Sequence, residues 1–396
     1  MMDGIIELRK KYSVLLYLIA CALDGSKPDT ALLSGSSPAE LLAMASKHNV
    51  SALLCHALET VGKATPAMQE AKSLSIRRNI LFDHARAQIG AELDKAGIPY
   101  LPLKGVILKD MYPYVGLRQM TDNDILFPIG SRPEIKRIMT GLGYTVKDYC
   151  RSNQDVYVKE PIYNFEMHVG LYSSGRHGRF AEYFDGILDR AQAVSDTSLC
   201  RKMSDEDFYL HMKTHEHKHY AGGGTGMRSL CDTYVYPKNK GDTLDEENLA
   251  EALSSLGIAE FDAATRELSH RLFSPEYRES VVAYLSGGED FLTPELRSMA
   301  DYYASSGAYG FMDVYVENDF TSFSKGKTTV GMKIRYVLRR IFPPVAFYKE
   351  AAPIVYKYKI LIPFYCLGRF IRVVFTKPAN LLRQLHTLHK VGKDGK

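Results

Sequence analysis

Two acids two residues apart, Asp122 and Asp124, head the apolar run of Met120-Thr121-Asp122-Asn123-Asp124-Ile125-Leu126-Phe127. On a strand, residues i and i+2 share a face, so the two carboxylates project side by side, about 7 Å apart at the backbone. Paired like charges repel unless something neutralises them, and a divalent cation suits them better than a core does. A third acid lies in Tyr163-Asn164-Phe165-Glu166-Met167-His168-Val169, whose alternation predicts a strand with Asn164, Glu166 and His168 on one face. Upstream, Lys104-Gly105 offers a turn after the short apolar stretch Tyr100-Leu101-Pro102-Leu103. Three carboxylates can hold two metal ions, one activating an attacking hydroxyl and one holding a triphosphate and its leaving pyrophosphate. The chemistry is that of metal-dependent phosphoryl or nucleotidyl transfer. Asp-x-Asp alone is a weak sign, because acid pairs abound on surfaces. The Lys-Gly turn before it and the Glu-x-His strand after it give the pair its weight.

Further along, His211, His215 and His219 recur at i, i+4 and i+8 on one helix face. Three ligands strung along a straight helix span about 12 Å, too far for one tetrahedral metal. The face therefore reads as a phosphate- or acceptor-binding surface that includes Lys218, or as a partly buried polar helix. The glycine loop Gly222–Gly226 feeds a helix carrying Arg228 and Asp232. A helix N-terminus attracts anions, and Arg228 would strengthen that; Asp232 could pair with Arg228 or receive an acceptor hydroxyl. An ordinary helix–helix connection explains the same loop. Arg118 is a candidate phosphate contact, since its planar fork suits oxyanions. Ser324-Lys325-Gly326-Lys327-Thr328-Thr329 echoes the end of a P-loop but lacks the earlier glycine and the preceding apolar strand.

The elements that must position these residues divide the chain into four stretches. Residues 1–97 read as helices: an apolar helical face from Ile5 to Leu23, a Ser37-Pro38-Ala39-Glu40 helix start, and a long helix from Pro66 to Ala96 closed by Gly97-Ile98-Pro99. The first of these has the parts of a signal peptide, but acids precede its apolar run, which favours a core helix. The run is also too short to span a bilayer. Residues 98–200 form a mixed α/β unit, with Met120–Phe127 as a strand. Residues 201–316 are helical and include the His-rich helix and glycine loop. Residues 317–396 start as a polar, mobile loop (Glu317 to Gly331) and continue as a basic, apolar tail cut into short helices by Pro343, Pro344, Pro353, Pro363 and Pro378. The fold class is α+β, a small mixed sheet flanked by N- and C-terminal helical regions. A 45% hydrophobic, 24% charged composition is that of an ordinary globular protein, and a formal charge of +4 over 396 residues excludes a wholly polybasic nucleic-acid binder. Six cysteines without CxxC spacing argue against a zinc ribbon or a disulfide scaffold and predict reduced thiols in the cytoplasm.

Leu103-Lys104-Gly105, Arg118 through Asp122-Asn123-Asp124, and Phe165-Glu166-Met167-His168 together resemble the nucleotidyltransferase superfamily. More narrowly they resemble an uncharacterised bacterial nucleotidyltransferase family with the pattern LKG…R-x-x-x-D-x-D…E-x-H, then a helix with His and Lys, a glycine loop, and Arg and Asp. The motifs cover about residues 98–236. The resemblance implies a short mixed sheet flanked by helices and transfer of NMP from an NTP with two Mg2+ ions, Mn2+ being possible. It makes Asp122 and Asp124 the metal-binding pair. Glu166 becomes the third acid, a general base or second-metal ligand, and Gly105 the turn near the triphosphate. Lys104, Gly105, Arg118, Lys218, Arg228 and Asp232 become nucleotide-binding candidates, and His168, His215 and His219 acceptor or orienting residues. Most superfamily members place Gly-Ser or Gly-Gly at the turn; this chain has Gly105-Val106, with Lys104 and Arg118 to supply charge instead. The acceptor is an RNA, a small molecule or a protein hydroxyl, and no stable membrane insertion is expected. Two other classes remain open: a catalytically weak nucleotide-binding regulator, and a protein docking RNA or a membrane through the basic tail.

Overall fold

The computed structural model describes residues 2–33, 35–173, 177–308, 312–345, 347–348, 352–376 and 378–391. Four helices come first: α1 (Met2–Asp24), α2 (Pro38–Lys47), α3 (Ser51–Glu59) and α4 (Pro66–Lys95). Every residue from Tyr12 to Leu23 is buried, so the N-terminal apolar run is a core helix, packed on α3. Thr65 starts α4 by accepting from the Met68 N–H at 3.4 Å, with Pro66 in the first turn. Gly97, at φ +69, lets the chain turn out of it.

The five-stranded sheet follows: β1 (Leu101–Pro102), a one-turn helix α5 (Gly105–Leu108), β2 (Asn123–Leu126), α6 (Arg132–Gly141), β3 (Thr145–Asp148), β4 (Gln154–Lys159) and β5 (Tyr163–His168). Its order is β1-β2-β5-β4-β3, with β2 and β5 parallel and the other pairs antiparallel. One face carries Ile125, Phe165, Met167 and Tyr157, which pack on Ile89 and Leu93 of α4 and on Ile135 and Met139 of α6. Because side chains alternate, Asp124, Glu166 and His168 must point to the other face. That apolar packing on α4 and α6 is what fixes which way the carboxylates look. The strand expected over Met120–Phe127 is shorter than that. Met120 instead buries against Phe82 and Val106, and Asp122 lies just ahead of β2.

Two short helices, α7 (Gly178–Tyr183) and α8 (Ile187–Arg190), lead to a hairpin of β6 (Gln192–Ser195) and β7 (Ser198–Lys202). This hairpin closes the stretch read from the sequence as mixed α/β and runs two residues past its expected end at 200. It is held because Tyr100, at the edge of the sheet, donates its N–H to Leu199 and accepts from the Arg201 N–H. Then come α9 (Asp205–Ala221), α10 (Met227–Lys240), α11 (Glu246–Leu256), α12 (Ala259–Phe273), α13 (Arg278–Leu285) and α14 (Pro294–Ser306). Leu230, Leu268, Phe273 and Tyr303 from this set join α1, α2 and α3 in one core, so the N- and C-terminal helices form a single bundle beside the sheet. The C-terminal region is α15 (Met312–Ser324), α16 (Val330–Ile341), α17 (Pro353–Lys357), α18 (Ile362–Thr376) and α19 (Pro378–Lys390). The polar stretch from Glu317 to Ser324 is helical, because Val316 and Phe320 pack on Tyr336 and Leu388 in a separate small core. The prolines do divide the tail into short helices. Among the described residues no helix is long and apolar enough to cross a membrane.

Candidate active site

Register brings the acids together. In the parallel β2–β5 pair, Asp124 lies opposite Glu166 and Leu126 opposite His168. Asp124, Glu166 and His168 each offer a ligand atom, all within 4.8 Å of one another, and among the described residues they are the group that could hold a metal ion. Asp122 stands outside that group, at the mouth of β2, yet its charge is felt by Glu166. His168 Nε2 lies 3.2 Å from Asp124 Oδ1 and 3.8 Å from Glu166 Oε2. An ionised carboxylate only accepts, so Nε2 carries the ring proton and donates to Asp124. The Nδ1 atom is buried without a partner. Gln154, on the neighbouring β4, donates to Glu166 Oε2 at 2.7 Å. Gln154 carries no motif signal; only the strand pairing reveals it.

The charges are arranged unequally. Burial would raise the Asp124 pKa, but the Lys104 ammonium, 3.3 Å away, and the His168 bond outweigh it and hold the carboxyl well below its usual range. Glu166 moves the other way, raised by burial and then by Asp124 and Asp122. Asp122 is likewise raised by burial and by Asp124, with Lys104 and Arg228 opposing. The site therefore pairs one firmly ionised carboxylate with two that are easier to protonate.

Lys104 reaches Asp124 from the turn between β1 and α5, where its backbone takes φ +38 and ψ −102. Non-glycine residues are rarely held this way. Gly105 is needed beside it, because a Cβ there would sit 2.7 Å from Arg118 Nη1 and 2.9 Å from Met120 Sδ. Val106 buries in the core with Phe82 and Met120, which explains an apolar residue where a serine is usual: its side chain does not face the site.

The remaining candidates separate into those at the site and those committed elsewhere. Arg118, read from the sequence as a phosphate contact, is buried and gives Nε and Nη2 to the two oxygens of Asp232 at 2.7 and 2.8 Å. Asp232 also accepts from Tyr112 at 2.8 Å, so its partner is Arg118 and not Arg228. Arg118 and Asp232 thus form the wall behind Gly105. Arg228 is half-buried, donates to the Gln119 carbonyl at 2.9 Å and lies within electrostatic reach of Asp122. On α9, whose Tyr209 and Met212 share a core with Leu126 of β2, His211 and His215 are pushed well below the usual histidine range by burial and then by Lys104. His215 and His219 face each other, Nε2 to Nε2, at 3.1 Å. His219 is exposed at the outer end of this row. Lys218 lies over the Tyr172 ring at 5.8 Å. The sequence also hid a buried cluster on the opposite face of α9: Lys213, Glu216, Thr233, Asp262 and Thr265. Charged residues are ordinarily solvated on helices, and nothing in their spacing marks these as buried.

The fold is a mixed α+β sheet flanked by helices, and one face of that sheet gathers Asp124, Glu166 and His168, a group that could hold a metal ion. The family is more specific. A family model described as "Uncharacterised nucleotidyltransferase" matches residues 34–274, more than half of the chain, and the chain belongs to that family of nucleotidyltransferases. Among curated proteins and among solved structures, none matches.

Proposed function

We propose that the chain moves a nucleoside monophosphate from an NTP to an acceptor hydroxyl on the acidic face of the sheet, with divalent cations held by Asp124 and Glu166 and completed by Asp122. The observation that carries this reading is the direct opposition of Asp124 and Glu166 across the parallel β2–β5 pair. The donor set fits Mg2+ or Mn2+, since its acids offer hard oxygens and Asp124 pushes up the pKa of both Asp122 and Glu166, a repulsion that a cation relieves. When bound, the metal supplies charge neutralisation of the triphosphate and a lowered pKa for the attacking hydroxyl.

The chain's own residues do the rest. Lys104 and Arg228 bring positive charge to the phosphates. Glu166, beside the cation it helps to hold, takes the proton from the acceptor hydroxyl. His168 positions Asp124 through the Nε2 bond. His215, His219 and Lys218 line the approach for the acceptor, and Gly105 lets the turn close over Arg118 and Met120.

The test uses four α-labelled NTPs with purified protein and a cell extract, read by which species becomes labelled. Asp124→Asn is expected to reduce labelling by at least about a hundredfold and to weaken Mn2+ binding in calorimetry. Labelling and Mn2+ affinity equal to wild type in a folded Asp124→Asn protein would remove the proposal. Nucleotide binding without pyrophosphate release would favour the catalytically weak nucleotide-binding regulator.

A further inference from the structure

The C-terminal region carries a surface unlike the rest of the molecule. From residue 330 to the end the sequence has fourteen Lys and Arg against two acids, so this stretch is +12 and the preceding 329 residues are −8. The near-neutral total conceals this division. The same stretch holds 18 of the 24 exposed large hydrophobic residues among the described ones.

The apolar residues are ordered. On α16, Val330, Ile334 and Leu338, with Phe342 just after it, recur every four residues and are 50–73% exposed. Tyr336, on the other side of that helix, is buried against Val316, Phe320 and Leu388. The helix therefore already packs one face inward and presents a second apolar stripe to water. On α18, Phe364, Ile371 and Phe375 repeat the arrangement, with Phe375 80% exposed. Arg335, Arg339, Lys357, Lys359 and Arg372 are exposed among these stripes.

We propose that this face docks the enzyme in the plane of an anionic lipid bilayer. A bilayer offers hydrocarbon for the aliphatic stripes and phosphates for the flanking cations at one surface. RNA matches the charge but offers nothing to rows of Val, Ile and Leu. A second copy of the chain matches the stripes but would set +12 against +12. No described helix is long and apolar enough to cross the membrane, so the contact is interfacial.

The test is flotation of the full chain with vesicles of phosphatidylcholine alone or with about one third phosphatidylglycerol. The chain is expected to float with the anionic vesicles at low salt, to release partly at high salt, and to ignore the neutral ones. Each cation brought to the surface is worth roughly fivefold in affinity. The pair Ile334→Glu and Leu338→Glu, at side chains already in water, is expected to weaken flotation by at least roughly tenfold. The equally exposed Ile80→Glu on α4 is expected to leave it unchanged. Thermal unfolding of each variant confirms that it folds. Equal flotation with both vesicle types, or undiminished flotation of the double variant, overturns the proposal. So does a dimer in sedimentation that the double variant dissociates, which assigns the stripes to a second copy.

Discussion

Arg118 shows how much a single side chain's meaning depends on its partner. Its guanidinium and the Asp232 carboxylate meet as two parallel hydrogen bonds in a buried site, and Tyr112 completes the acceptor. Lysine keeps the charge but cannot make the fork. Arg118→Lys is therefore expected to cost about 1–3 kcal/mol of stability, while the KM for NTP stays within about twofold of wild type. A large rise in KM with unchanged urea unfolding would return Arg118 to the phosphates. His48 is the clearest titrating group away from the site. It is 1% exposed, donates from Nε2 to the Ala304 carbonyl at 3.1 Å and accepts at Nδ1 from the Met227 N–H at 3.3 Å. Burial, then Lys47, lowers its pKa to about 4. The unfolded chain takes up this proton near pH 6.5 and the native one only near 4, so the stabilisation is complete above 6.5 and is lost as pH falls toward 4. The loss amounts to roughly 3 kcal/mol. Urea unfolding at pH 7.5 and pH 4.5 should show a decline in wild type that shrinks by about that amount in His48→Gln; equal declines would mean that other groups carry it.

Among the elements, the turn from β1 into α5 matters most to the site. Lys104 holds an unfavourable backbone so that its ammonium reaches Asp124, and Gly105 admits Arg118 and Met120 against the chain. Gly105→Ala forces a methyl into contacts of 2.7 and 2.9 Å. It is expected to destabilise by about 1–3 kcal/mol and to weaken NTP binding as Lys104 is displaced; wild-type NTP affinity in calorimetry would show that the turn does not hold the nucleotide. The elements also mark the limit of what the sequence tells. Asp124 and Glu166 stood out in the sequence as acids among apolar residues, whereas Asp122, expected beside Asp124 on the strand, lies ahead of it; the helices through Lys95 were legible from their period and caps. The opposition of Asp124 and Glu166 was not legible, since parallel register arises from the packing of Ile125, Phe165 and Met167 on α4 and α6. The shortening of β2 was hidden for a similar reason: Met120 is taken by Phe82 and Val106. The Arg118–Asp232 pair spans 114 positions, and no local pattern joins residues that far apart.

At the scale of the molecule, α9 joins the acidic sheet face to the helical bundle. His211 and His215 on one side feel Lys104, and Lys213 and Glu216 lie about opposite, toward α10, α12 and α14. Lys213 is wholly buried. It donates to Glu216 Oε2, to Thr233 at 3.1 Å and to Thr265 at 2.7 Å, with Asp262 at 3.7 Å. Tyr303 of α14 donates to the other oxygen of Glu216, and Tyr209 of α9 to Asp262. One ammonium thus serves two buried carboxylates, and four helices meet through it. Truncating such a centre leaves both acids uncompensated, which costs far more than the net worth of the ion pair. Lys213→Met, close to lysine in length but without the charge, is expected to lose about 3–5 kcal/mol in urea unfolding. The KM for NTP should rise as well, because α9 shifts relative to Lys104. Adding Glu216→Gln should restore part of the stability by removing one stranded charge, a recovery that simple loss of packing does not produce. A single variant that loses under about 1 kcal/mol, or a double variant no more stable than the single, would show that Lys213 is not what binds the four helices together.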